Sequence, residues 1–123
     1  MKDKVRRSWS EVKQLWVDAL RSGKYVQGRD FLNKDNKFCC LGVLCDIVKE
    51  DFGLQWEAHS LLEPTKLSIG GSCSNVPLPI TAVYLRLNDL SARFDNAGYP
   101  LWRLNDKLEL SFIEIADLIE AQF

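Results

Sequence analysis

Phe38-Cys39-Cys40-Leu41-Gly42-Val43-Leu44-Cys45-Asp46 is the stretch on which the fold turns. Phe38 to Cys45 is the longest apolar run in the chain, and it is far short of the roughly 20 residues a membrane span needs. Leu41, Leu44, Val48 and Phe52 follow one another at intervals of three and four, the period of a helix, and Gly53 supplies a stop. The spacing predicts a helix over about residues 40–52. Leu41-Gly42-Val43-Leu44 is apolar on every side, so that helix should be central. Glycine inside a helix costs roughly 1 kcal/mol relative to alanine. Its presence at position 42 predicts that another backbone packs closely there.

On the N-terminal side, Lys34-Asp35-Asn36 is a turn signal between Lys24–Leu32 and Lys37-Phe38-Cys39, which suggests a β-hairpin. On a strand, Tyr25, Gln27, Arg29 and Phe31 would share one face. Further back, Ser8 and Glu11 have capping-box spacing, with Ser10 as the alternative cap. Val12, Leu15, Trp16, Ala19 and Leu20 then form one apolar stripe ending at Gly23, so a first helix is expected over about 10–22.

On the C-terminal side, residues 54–78 read as irregular. Pro79 suits the first turn of a helix carrying Ile80, Val83, Tyr84 and Leu87. Asp95 to Pro100 reads as a turn. Ser111 and Glu114 cap a last helix with the stripe Phe112, Ile115, Ala116 and Ile119. Together these predict a compact single α+β domain over residues 1–123. Its central apolar helix would be packed by the N- and C-terminal helices and a short β-hairpin.

Composition agrees. The chain has 123 residues, 46% hydrophobic and 27% charged, as expected of one globular domain. A formal net charge of −1 argues against bulk attraction to nucleic acid polymers or anionic membranes. The charge is uneven: residues 1–37 carry ten Lys or Arg against five Asp or Glu, and residues 38–123 carry six against twelve. Either the globule has two differently charged faces, or a basic surface near the N-terminus receives an anion. The basic N-terminus lacks the apolar segment of a secretory signal, which suggests the cytoplasm.

Cys39, Cys40 and Cys45 lie inside the apolar run, with Cys73 apart. They read as reduced thiols used as small buried hydrophobes. Their spacing on a helix points them in different directions, which does not suit zinc. A thiol nucleophile at Cys39 or Cys40 near a helix start, with the single histidine His59 as base, is a minor alternative. Leu104 to Ala116 looks like half of a helix-turn-helix, but Glu114, Asp117 and Glu120 would repel phosphate. Ile69 to Ser74 beside Lys66 reads as an anion nest or an ordinary surface loop. No phosphate-loop or dinucleotide fingerprint occurs.

Lys24-Tyr25-Val26-Gln27-Gly28-Arg29 brings two cations, a ring and an amide into six residues, a set suited to a flat anionic ligand. The plain alternative is a solvated hairpin. As a site, Lys24 and Arg29 would contact phosphate, Tyr25 or Trp56 would stack, and Gln27 or Asn105 would read polar edges. No catalytic residue, metal or cofactor is expected. A buried Asp46 would need a partner such as Arg21 or Arg29.

Trp16-x-x-Ala19-Leu20-Arg21-Ser22-Gly23-Lys24-Tyr25-x-Gln27, the Phe38–Asp46 run, Leu104-Asn105-Asp106 and Ser111-Phe112-x-Glu114-Ile115-Ala116-Asp117-x-Ile119-Glu120 carry a family likeness. With them the chain resembles a family of short bacteriophage and prophage proteins whose activity is uncharacterised, most specifically through Phe-Cys-Cys-Leu-Gly-Val-Leu-Cys-Asp. The resemblance implies an accessory protein acting in the cytoplasm of a bacterial host. Small phage proteins of this kind often counter host defence by sequestering a nucleotide signal or by gripping a host protein. The expected function is therefore non-enzymatic sequestration of a small anionic nucleotide-like ligand by a homo-oligomer. The alternative is a protein–protein inhibitor of a host defence or regulatory protein.

Overall fold

The computed structural model describes residues 7–63, 68–69, 71–72, 76, 80 and 101–122. The helix expected after Pro79 (Ile80 apart), the turn at 95–100, and most of the 69–74 nest with Lys66 lie outside the described residues. The architecture is α+β, as the residue pattern predicts.

Helix α1 spans Trp9–Ser22. Ser8 is its N-cap, with Oγ accepting from the Glu11 amide at 3.3 Å, and Gly23 ends it in the left-handed region at φ 80°. The buried residues are Val12, Trp16, Val17 and Leu20. Leu15, which the stripe placed inside, is 40% exposed. Val17 takes its place because α1 packs against two other helices, and the buried face is rotated toward Val17.

Strands β1 (Val26–Gln27), β2 (Asn33–Lys34) and β3 (Lys37–Phe38) form a sheet in the order β1-β3-β2. β2 and β3 make a hairpin, with Asn33 opposite Phe38 and Lys34 opposite Lys37, but its first strand is Asn33–Lys34 and not the expected 24–32 segment. Asp35 and Asn36 both take positive φ, 54° and 64°, as a two-residue primed turn requires. β1 pairs in parallel with β3, which the pattern did not predict. Because β1 ends at Gln27, the expected common face breaks up: Tyr25, Gln27 and Phe31 are half-buried and Arg29 is exposed.

Helix α2 spans Cys40–Val48, and a tighter 3-10 turn, Lys49–Phe52, carries the chain to Gly53. Every residue from Cys40 to Cys45 is buried. A Cβ at Gly42 would lie 1.8 Å from the Leu32 carbonyl oxygen, so glycine is what lets the β1–β2 connection cross the helix. Cys39 caps the helix through Sγ, which accepts from the Gly42 amide at 3.3 Å. Cys39 is disulfide-bonded to a partner outside the described residues, which corrects the reading of all four cysteines as reduced thiols. Cys40 and Cys45 are in no disulfide and are buried, as expected.

A second sheet occupies part of the stretch that the sequence left irregular. β4 (Gln55–Glu57), β5 (Ser60–Leu62) and β6 (Ser68–Ile69) run antiparallel in that order. An isolated bridge between Phe31 and Ser72, with the Leu32 amide donating to the Gly71 carbonyl at 2.8 Å, ties the two sheets together.

Helix α3 spans Leu101–Asp106 and α4 spans Phe112–Gln122. Ser111 and Glu114 make the expected reciprocal cap at 3.2 and 2.9 Å. Phe112, Ile115, Ala116 and Ile119 face the core. The broadest interface of α4 is with α1, where Arg21 reaches Asp117 and Glu120 at 2.6 and 2.9 Å. At the centre, the fully buried Trp16 donates from Nε1 to the Cys40 carbonyl at 2.9 Å, which satisfies the ring's only polar group and a carbonyl of α2 together.

Candidate functional site

Two of the residue pairs named from the sequence sit inside the fold's polar scaffold. The Tyr25 hydroxyl donates to Asp46 Oδ2 at 2.6 Å, and Trp56 Nε1 donates to Asp46 Oδ1 at 2.8 Å. Lys49 Nζ completes the set at 3.0 Å, so the partners of Asp46 are these three and neither Arg21 nor Arg29. Burial works to raise the Asp46 carboxyl. The hydrogen bonds from Tyr25, Trp56 and Lys49 outweigh it and leave the group below its ordinary value. Burial, then the bond to Asp46, raises the Tyr25 hydroxyl. Phe38 packs edge-on to both rings, with centroids 5.0 Å from Tyr25 and 5.9 Å from Trp56.

Gln27 and Asn105 also meet. Asn105 is fully buried, and its Oδ1 accepts from Gln27 Nε2 at 2.8 Å and from the Cys40 amide at 3.2 Å. Its Nδ2 donates to the Gly28 carbonyl at 2.9 Å and to Asp106 Oδ1 at 2.8 Å. Gln27 donates as well to the Leu110 carbonyl at 2.8 Å. Asn105 therefore joins β1, α2 and α3 and has no face left for a ligand. Lys24 and Arg29, the two proposed phosphate contacts, line different depressions. Lys24 borders a groove between α1 and α2 with Leu15, Ala19, Tyr25 and Ile47. The six residues are thus not brought into one pocket.

Arg29 belongs to a different constellation. It lines a depression of about 180 Å³ with Gly28, Lys34, Asp35 and Lys37. Gly28 is needed there, since a Cβ would meet that of Lys37 at 2.8 Å. Lys34 and Lys37 stand directly opposite across the hairpin, an arrangement that is unfavourable without an anion between like charges. Neither of them, nor Arg29, has an ion-pair partner among the described residues. Lys34 and Asp35 also border a second depression of about 280 Å³, completed by Asn33, Asn36, Ala58 and His59. It lies between the tips of the two hairpins. Lys34 Nζ sits 4.9 Å over the Phe31 ring, and His59 packs edge-on to the same ring at 4.7 Å. The larger, at about 280 Å³, alone approaches the smaller ligand sites, which begin at roughly 300 Å³.

Sequence reasoning named Arg29 here and missed Lys34, Lys37 and Asn33. A readable signal was present: two lysines flanking a two-residue Asp-Asn turn must face each other across the strands.

The thiols are poorly placed for nucleophilic work. Cys39 is in a disulfide, and burial, helped by the charge of Asp106, raises the Cys40 thiol. Burial, then Asp46, raises the Cys45 thiol in the same direction. His59 is exposed on the β4–β5 turn. Among the described residues no His, Cys, Asp and Glu cluster could hold a metal ion, and no helix is long and apolar enough to cross a membrane.

The molecule is thus an α+β domain with a cationic double depression at its hairpin tips. The chain belongs to DUF8296, a domain family of unknown function whose profile matches residues 8–123. No curated protein and no solved structure matches it.

Proposed function

We propose that the protein is a non-enzymatic binder that sequesters a small anionic, nucleotide-like ligand in the two adjoining depressions at the tip of the β2–β3 hairpin. Arg29, Lys34 and Lys37 hold the phosphate. Arginine can grip it with two parallel hydrogen bonds, and the lysines act as point charges. The observation that carries the reading is the set of three cations without ion-pair partners among the described residues, around adjoining hollows that share Lys34 and Asp35. An anion there offsets the Lys34–Lys37 repulsion and leaves the fold's own hydrogen bonds intact. Sequestration needs no nucleophile or base, in keeping with buried thiols and an exposed histidine. On this reading, which the resemblance to short phage and prophage proteins supports, the binder acts in the cytoplasm of an infected bacterium against a host defence signal.

Titration calorimetry with inorganic pyrophosphate and with nucleoside phosphates tests this. Binding is expected to weaken as salt rises. The Arg29→Ala/Lys37→Ala double variant should bind at least about tenfold more weakly, a loss of about 1.4 kcal/mol. Lys24→Ala, which lines a different groove, should bind as the wild type does. No binding by the wild type, or equal binding by the double variant, refutes the proposal.

A further inference from the structure

We infer that His59 is a pH-dependent anion contact: when its imidazole takes a proton, the larger hollow becomes a second phosphate subsite beside the one lined by Arg29 and Lys37. This rests on the anionic-ligand reading and names what regulates that same site. His59 is the only histidine of the chain, and histidine is the side chain whose charge changes between about pH 5 and 8. It is exposed on the β4–β5 turn and lines the larger hollow opposite Lys34 and Asp35 of the other hairpin. Two contacts set its ring there. The imidazole packs edge-on to Phe31, with centroids 4.7 Å apart, and a Cβ on Gly71 would lie 3.6 Å from its Cδ2.

The charges around the hollow decide what that proton does. Besides His59, the charged groups lining it are Lys34 and Asp35, which offset each other. Glu57 lies on the hairpin of His59 itself, and Arg29 and Asp30 precede Phe31 on the connection that braces it. The 71–72 segment against the ring carries no charge. The smaller hollow adds Arg29 and Lys37 to Lys34 and Asp35, so it is cationic whatever the state of His59. The larger hollow has no net charge around a neutral imidazole and one positive charge around a protonated one. An anion there then meets a cation from each hairpin, Lys34 on one side and His59 on the other. Lys34 Nζ lies 4.9 Å from the centre of the same Phe31 ring, so one ring sets both groups around the hollow. The coupling is reciprocal: a proton that strengthens the hold on the anion is itself held more strongly when the anion is bound.

Pyrophosphate takes up protons of its own in this range, so the probe is trimetaphosphate, a compact ring of phosphates whose charge is the same at about pH 5.5 and 7.5. Calorimetry at the two pH values, at one ionic strength, compares the wild type with His59→Gln. The wild type is expected to bind at least about fivefold tighter at the lower pH, the effect of one added charge near the anion. His59→Gln should bind equally at both, with the affinity the wild type shows at the higher pH. In proton NMR of the wild type, the single imidazole should titrate at a higher pH when trimetaphosphate is present, a readout that needs no variant. If trimetaphosphate binds alike at both pH values or not at all, if His59→Gln keeps the pH dependence, or if the imidazole titration does not move, this inference is overturned. The anion reading still stands in each of these cases provided pyrophosphate binds. If neither anion binds at either pH, the anion reading fails and takes this inference with it.

Discussion

Replacing Gly42 with alanine sets two opposed effects against each other. Helix propensity alone favours alanine by roughly 1 kcal/mol. The structure opposes it, because the new Cβ would lie 1.8 Å from the Leu32 carbonyl oxygen and 2.7 Å from its carbon. Both atoms are backbone, so no rotamer change relieves the clash. Restoring ordinary contact requires α2 and the 28–32 connection to part by roughly 1.5 Å, which opens the layer beneath Leu32, Leu41 and Val43, all buried. Overpacking of this kind costs about 1–3 kcal/mol where side chains can yield. Against a fixed backbone we expect the upper end and a net loss of about 2 kcal/mol after the propensity gain. For a domain of this size that lowers Tm by on the order of 10 °C. Urea unfolding followed by tryptophan fluorescence measures the difference. Gly23→Ala is the control: nothing lies within 4 Å of its Cβ, and only its left-handed φ of 80° opposes alanine, at about 1 kcal/mol. A Gly42→Ala variant as stable as the wild type would refute the close crossing.

Asp46→Asn should lower stability at pH 7 by about 1–2 kcal/mol, since the charged acceptor for Tyr25, Trp56 and Lys49 is lost. Because the folded carboxyl titrates below its ordinary value, its contribution is complete above about pH 4 and disappears as the pH falls further. Urea midpoints from pH 3 to 7 should show a shallower acid limb in the variant, and parallel limbs would count against the network. Asn105→Leu should cost about 3 kcal/mol by stranding the Cys40 amide and the Gly28 carbonyl, and a stable variant in thermal melts would argue against the buried junction. Thiol titration of the unreduced protein in denaturant should find two reactive groups, Cys40 and Cys45, and almost none under native conditions. Four thiols in denaturant would show that Cys39 carries no disulfide.

Local signals told most where one face of an element meets one neighbour. The capping pairs Ser8/Glu11 and Ser111/Glu114 and the apolar run after Cys39 place three helices. Gly42 even announces the crossing, because a residue unfavourable in a helix needs a reason to be there. The second sheet was hidden because its first hairpin turns at Ala58-His59, without the glycine or asparagine that marks such a turn. The parallel pairing of β1 depends on the path of the whole 28–36 segment, which no local period encodes. The candidate site divided in the same way. Arg29 was legible as a cation on a loop. Tyr25, Gln27, Trp56 and Asn105 have the composition of a ligand site, but the fold uses their polar atoms to join its own elements. Sequence shows that such groups need partners and cannot tell whether the partner comes from inside.

The pairing of α1 with α4 has a consequence for how the chain is made. Arg21 and its acidic partners are separated by 96 and 99 positions, and Trp16 lies on the face of α1 that ends up sealed. While the ribosome works through those intervening residues, at roughly 5–20 per second, α1 has emerged without its main cover. For several seconds the apolar side of Val12, Trp16 and Leu20 is open to whatever the cell offers, chaperones included. A protein needed quickly and in quantity would then have its yield set by how crowded that interval is.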